Sequence, residues 1–132
     1  MTSTAPTSTP RRSGYRRWFL IDGVVTGANA VLYLVLNQLL PGWIGGTSAL
    51  YLTVGVFLLV VTVGLLAVAR SARRPAGLAW LLVIINVLWA ATSFVVALVN
   101  PFGANGFGTV WTVLQGVIVL AFGIVQARSL RV

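Results

Sequence analysis

Apolar residues run along this chain in four long blocks, at about 18–40, 48–72, 76–99 and 107–127. Each block is close to the ~20 residues that a helix needs to cross ~30 Å of hydrocarbon. The interruptions between blocks are made of turn formers: Pro41-Gly42 with Gly45-Gly46, then Arg73-Arg74-Pro75, then Asn100-Pro101 with Gly103, Gly106 and Gly108. Ahead of the first block, residues 1–17 are rich in Thr, Ser, Pro and Arg. Such a segment buries too little apolar surface to offset the entropy of ordering. The pattern predicts an all-α fold, with a disordered basic tail over 1–17 and a four-transmembrane-helix bundle with short loops over 18–132.

Polar positions inside the blocks carry the next signal, because polar groups are costly in a bilayer and turn toward the bundle interior. In the first block Asp22, Thr26, Asn29, Tyr33 and Asn37 recur at intervals of 4, 3, 4 and 4. At about 100° per residue they form one stripe. Gly23 and Gly27 lie beside it in a spacing that permits close helix approach. Asn86, Trp89, Ala90 and Ser93 share a face of the third block, and Thr112, Gln115, Val119, Phe122 and Gln126 share one of the fourth. The second block offers only Thr53 and Thr62 with Gly55 and Gly64, and reads as the most lipid-exposed.

At 1.5 Å per residue, Asn29 falls about 16 Å and Asn86 about 15 Å from one end of their helices, and Gln115 about 12 Å from the other. One midplane layer of three amides is therefore expected, with Asp22 and Gln126 about a turn inside the boundary. Such a layer either fastens helices together or lines a cavity for a small polar or amphipathic ligand. Asp22 likewise has two readings. In one it sits in the first turn of its helix, favoured by the helix dipole and paired with Arg16 or Arg17, or within reach of Arg128 or Gln126. In the other it is a protonatable group that couples ion binding to transport.

Charge then orients the bundle. All nine basic residues are arginine, against one acid, for a net charge of +8. Arg11, Arg12, Arg16 and Arg17 precede the first block, Arg70, Arg73 and Arg74 separate the second from the third, and Arg128 and Arg131 follow the fourth. The remaining two connections carry none. Basic flanks stay in the cytoplasm, so both termini and the middle loop are expected there, in a bacterial inner membrane with anionic lipid head groups facing the arginines. Trp43, Tyr51, Phe102, Phe107 and Trp111 then fall near the outer interface, and Tyr15 and Trp18 near the inner one. Arg16-Arg17-Trp18-Phe19-Leu20 also has the look of a twin-arginine export signal, with Ala28-Asn29-Ala30 as a cleavage site. Asp22 interrupts its apolar region, however, and three more spans follow, so the arginine pair is read as a topology anchor.

Composition removes most chemistry. The chain is 58% hydrophobic and 8% charged, and a soluble domain of this size has too little polar surface to cover that much apolar surface. With no cysteine, no histidine and one carboxylate, there is no thiolate site, no imidazole base, no paired-carboxylate mechanism and no carboxylate metal cage within one copy. No phosphate loop or catalytic triad spacing is present. Neither a metal nor a cofactor is implied. The high basicity follows helix ends and does not suggest nucleic acid.

The halves of the chain are faintly alike. Asn29-Ala-Val-Leu-Tyr33 echoes Asn86-Val-Leu-Trp89 at an offset of 57, and Ala69-Arg70-Ser71-Ala72-Arg73 echoes Ala127-Arg128-Ser129-Leu130-Arg131 at 58. Both halves start from the arginine side, so a duplication would be a parallel repeat about the membrane normal.

The run Asp22-Gly23-Val-Val-Thr26-Gly27-Ala-Asn29 with Tyr33, together with Asn86-Val-Leu-Trp89, Gln115 and Gln126, resembles a group of small four-helix integral membrane proteins from high-GC Gram-positive bacteria. The resemblance spans most of the chain after the tail and implies a fold and a source, not an activity. The chain also looks loosely similar to small multidrug resistance transporters, in size, four spans and an acid in the first helix. It departs from them in having a shallow aspartate in place of a deep glutamate, and an emphatic arginine bias. The expectation is a non-enzymatic accessory or self-associating membrane subunit, partnered by a second copy or a larger membrane protein through Gly23, Gly27 and the apolar second helix. The alternative is a small proton-coupled carrier, with Asp22 as coupling group and Asn29, Asn86 and Gln115 lining its path. An enzyme acting on lipid is disfavoured by the single acid.

Overall fold

In the computed structural model, residues 14–131 are described. They form five helices: α1 (Gly14–Leu36), α2 (Leu40–Ile44), α3 (Ser48–Arg70), α4 (Ala76–Val99) and α5 (Gly106–Leu130). The four long helices are each apolar and long enough to cross a membrane, which makes the chain a small multi-pass membrane protein of all-α architecture. Residues 1–13 of the expected tail, with Arg11 and Arg12, lie outside the described residues. The tail boundary itself moves, because residues 14–17 are already helical and Tyr15 is buried.

Local sequence sets the helix ends. Pro41 occupies the first turn of α2, where its missing N–H costs nothing, so Pro41-Gly42 starts a short helix instead of forming a simple turn. The Thr47 side chain caps α3 by accepting from Leu50 N at 3.1 Å, and Asn105 caps α5 by accepting from Gly108 N at 2.9 Å. Asn100 closes α4 in the left-handed region, at φ 53°, a conformation Asn tolerates better than most residues.

The helices pair as two antiparallel hairpins, α1 with α3 and α4 with α5, and the hairpins meet chiefly through α1 against α5 and α3 against α4. Within each hairpin glycine sets the spacing. A Cβ on Gly23 would come within 2.8 Å of the Leu66 side chain, and one on Gly27 within 3.1 Å of Thr62, both on α3. In the second hairpin Gly116 rests on Phe94 and Ser93, and Gly123 on Asn86 and Val87. The Gly23/Gly27 ridge is thus taken up inside the chain, which corrects its expected role as an outward contact surface. The second span is likewise not the most lipid-exposed: 33% of its apolar stretch is buried, against 17% for the fourth.

All described arginines gather at one end, where α1 and α4 begin and α3 and α5 finish. There each hairpin is closed by the same kind of contact. Arg16 Nη2 donates to Ala72 O at 3.0 Å, and Arg74 Nη1 donates to Leu130 O at 2.7 Å. Donors and acceptors are both offset by 58 positions. An apolar cluster around Phe19, Leu65, Val68, Ala79 and Leu82 fills this end.

At the opposite end the two loops are tied together. Gly46 N donates to Phe102 O, Asn105 N to Ile44 O, and Asn105 Nδ2 to Trp43 O at 2.7 Å. Gly45 adopts φ 94° and sits so near Gly103 O that a Cβ would approach it to 2.6 Å, so no larger residue fits that roof without strain.

Candidate functional site

The polar stripe of α1 from Asp22 to Tyr33 faces the seam between the hairpins and meets α4 and α5 there, whereas Asn37, past the end of α1, donates to Leu34 O and accepts from Ser48 Oγ of α3. Near the arginine end, the Asp22 carboxylate accepts three hydrogen bonds. Thr26 Oγ1 donates to Oδ1 at 2.8 Å, while Asn86 Nδ2 at 3.0 Å and Gln126 Nε2 at 2.7 Å donate to Oδ2. Asn86 Nδ2 also donates to Gln126 Oε1 at 2.9 Å, which closes a triangle. The three corners are almost wholly buried, with Asp22 at 2%, Asn86 at 5% and Gln126 at 0% exposure. A carboxylate can be held in such a place when donors saturate its oxygens.

The expected pairing of Asp22 with arginine is therefore replaced by uncharged donors. Arg16 is turned away, to the Tyr15 hydroxyl and Ala72 O, and Arg17 lies over the Trp18 ring. Asp22 is more than two turns into α1, which starts at Gly14, so it is beyond the first-turn dipole position assumed for it.

Further along the seam Asn29 Nδ2 donates to Gln115 Oε1 at 2.7 Å, and Trp111 Nε1 donates to the Tyr33 hydroxyl at 2.8 Å. Four residues separate the partners on each helix, so the two bonds stack one turn apart between antiparallel helices. The single layer of three amides becomes two levels: Asn86 belongs with Asp22 and Gln126, while Asn29 and Gln115 form their own pair. The depth count missed this because it started the first helix at Trp18, whereas α1 starts at Gly14: Asn29 lies 15 residues (29 − 14) and Gln115 15 residues (130 − 115) from the arginine ends of their helices, against 10 (86 − 76) for Asn86.

Beyond Gln115 the seam widens into a cavity of about 310 Å³ under the tied loops. Tyr33, Tyr51, Trp89 and Trp111 supply aromatic wall, Ser93 and Gln115 supply polar floor, and no charged side chain lines it. Phe57 stacks on Trp89 at 5.2 Å between ring centroids, joining α3 to α4 on one side. Tyr51 donates its hydroxyl proton to Gly45 O at 2.5 Å and so braces the roof. A more open apolar groove of about 590 Å³, bounded by Leu36, Trp43 and Phe107, shares Ile44 and Trp111 with the cavity. One indole thus stands between the two spaces.

Of the residues singled out from sequence, Asp22, Thr26, Asn86 and Gln126 come together at one level and Asn29 with Gln115 at another. Tyr33, Ser93 and Gln115 reach the cavity. Gly23 and Gly27 face α3 instead. The cavity walls Tyr51, Trp89 and Trp111 were not anticipated as a site. Tyr51 and Trp111 sit where interfacial aromatics belong, and only the i, i+4 spacing of Trp111 with Gln115 hints that both face inward. Comparison with protein-family models, with curated proteins and with solved structures returns no match.

Proposed function

We propose that the chain is a non-enzymatic protein of a bacterial cytoplasmic membrane that holds a small amphipathic molecule between its two hairpins, with the arginine end on the cytoplasmic side. The cavity of about 310 Å³ carries this reading. It has the size range and the lining of a small-molecule site, mostly apolar and aromatic with a few polar groups at one end. No carboxylate, imidazole, thiol or amine faces it, so the chemistry on offer is binding. Anionic lipid head groups are the natural neighbours of the exposed arginines, and the matching closures of the two hairpins support a parallel two-hairpin repeat.

An accessory or self-associating role rests only on apolar side chains facing lipid, which every spanning helix presents. The glycine ridge that was to serve it is occupied by α3. Proton coupling through Asp22 has no better support, because the carboxylate is enclosed by uncharged donors and does not line the cavity. In this reading Asp22 fastens α1 to α4 and α5.

Photolabelling tests the cavity. A membrane-soluble phenyl diazirine should label cavity-lining peptides around Trp89 to Ser93 as well as lipid-facing ones. Ser93→Trp, which fills the floor, should abolish the cavity label alone. Labelling confined to lipid-facing residues in the native chain would sink the reading. Orientation is tested on the same cysteine-free chain. In intact cells Gly106→Cys should react with an impermeant maleimide and Ser129→Cys should not.

A further inference from the structure

The cavity's chemistry narrows what it takes, and this step rests on the cavity reading above. Its walls offer ring faces: Tyr33 and Tyr51 lie 5.5 Å apart at 56°, and the Trp89 and Trp111 indoles line it with them. Flat apolar rings pack well against such walls. Its polar groups offer mainly protons. The Tyr33 hydroxyl, 6% exposed, accepts from Trp111 and keeps its own proton free. Gln115 accepts from Asn29 through Oε1, and among the described residues its Nε2 has no partner. Ser93, 8% exposed, makes no side-chain hydrogen bond among the described residues. By contrast, the Tyr51 and Thr112 hydroxyls and both ends of the Asn100 amide are committed to backbone groups.

Buried polar groups are normally satisfied, so the unfilled donors of buried Tyr33 and Ser93, with the half-buried Gln115 amide beside them, are a recognition feature. An anion or cation would be left without a counter-charge in a low-dielectric site. We propose that the cavity binds an uncharged ring compound bearing a hydrogen-bond-accepting oxygen, a ketone or quinone-type carbonyl, with the oxygen at Tyr33, Ser93 and Gln115 and the ring among the indoles. Such a molecule is soluble in the bilayer, and the apolar groove that shares Ile44 and Trp111 with the cavity adjoins it.

The test is equilibrium binding to the full chain in lipid nanodiscs, corrected for partition into empty nanodiscs. The probes are 1-acetonaphthone, 1-ethylnaphthalene and 1-naphthoate, which share a ring body and differ in the polar group. The ketone should saturate at one site per chain, with the hydrocarbon roughly a hundredfold weaker and the anion weaker still. Tyr33→Phe, Gln115→Met and Ser93→Ala should each cost the ketone about fivefold, the worth of one hydrogen bond, and leave the hydrocarbon unchanged. Three separate variants guard against one of them misfolding. Equal affinity for ketone and hydrocarbon would overturn the acceptor chemistry while leaving the cavity as a binding site. Tighter binding of naphthoate would overturn it too. If no probe saturates, the cavity reading falls along with this one.

Discussion

The two ends of the inter-hairpin seam are built from similar residues and do opposite things. At the arginine end, one hydroxyl and two carboxamides direct donors onto one carboxylate and one another, and every member is bonded within the set. At the loop end, hydroxyls and a carboxamide of the same types hold unused donors beside an open space. What separates a structural cluster from a binding site here is satisfaction, not polarity. A closed polar set resists rearrangement because each member's loss strands the others. An incomplete set costs the fold less and leaves free energy for a ligand to recover.

The largest effect should come from breaking the closed end. Asp22→Ala removes the acceptor for three donors and strands Asn86 and Gln126 in a buried place, which should destabilise the bundle by about 2–4 kcal/mol. Asp22→Asn keeps the shape and should cost about 1 kcal/mol. Unfolding in bicelles by steric trapping gives both numbers. If Asp22→Ala unfolds like the native chain, the triangle is not what joins the hairpins.

Next in size is the roof at the open end. Gly45→Ala puts a side chain on φ 94° and against Gly103 O, at a cost of about 1–3 kcal/mol from strain and overpacking. The comparison becomes sharper if this change weakens ligand binding more than it weakens the fold. That ratio is read by measuring 1-acetonaphthone affinity and bicelle unfolding on the same preparation. An equal loss in both would mean that roof and cavity are not separable from the bundle.

These expectations show how unevenly the sequence spoke. Four spans, their break points and the inward stripe of α1 were readable because bilayer thickness and helical period act on the chain one residue at a time. The third span even keeps its expected limits, Ala76–Val99. Between helices the reach of Asp22 to Gln126 was legible, and most other pairings escaped. Asn86 was placed beside Asn29 by depth, whereas the earlier start of α1 at Gly14 carries Asn29 past it and leaves Asn86 with Asp22 and Gln126. Gly23 and Gly27 were correctly read as a close-approach ridge, yet a spacing rule cannot say whether the approaching helix belongs to the same chain. The roof depends on Gly45 meeting Gly103 and on Asn105 meeting Trp43 62 positions away, with only turn chemistry at each to announce it.

The middle of the seam gives a smaller effect that tests satisfaction against polarity directly. Replacing both members of the Asn29–Gln115 pair by leucine removes one hydrogen bond and leaves neither partner stranded. It should therefore change stability by only about 0.6 kcal/mol, whereas Asn29→Leu alone leaves the Gln115 carbonyl unpaired and should cost more. A double variant less stable than either single one would mean that the amides hold the helices by something beyond their mutual bond.

The smallest effect concerns the arginine end itself. Arg16 and Arg74 make matching contacts to Ala72 O and Leu130 O, one for each hairpin, so Arg16→Ala and Arg74→Ala should each cost about 0.5–1 kcal/mol. The contacts share no partner, so the double variant should lose the sum. Steric-trap unfolding resolves this if both hairpins are probed by tags placed on each in turn. Equal, additive losses are what two hairpins with equivalent closures require. A loss confined to Arg16 would show that only the first hairpin depends on its closure, with α4 and α5 held by the Gly116 and Gly123 contacts and the Asn86–Gln126 bond. The resemblance between the two closures would then be one of sequence without a shared mechanical role.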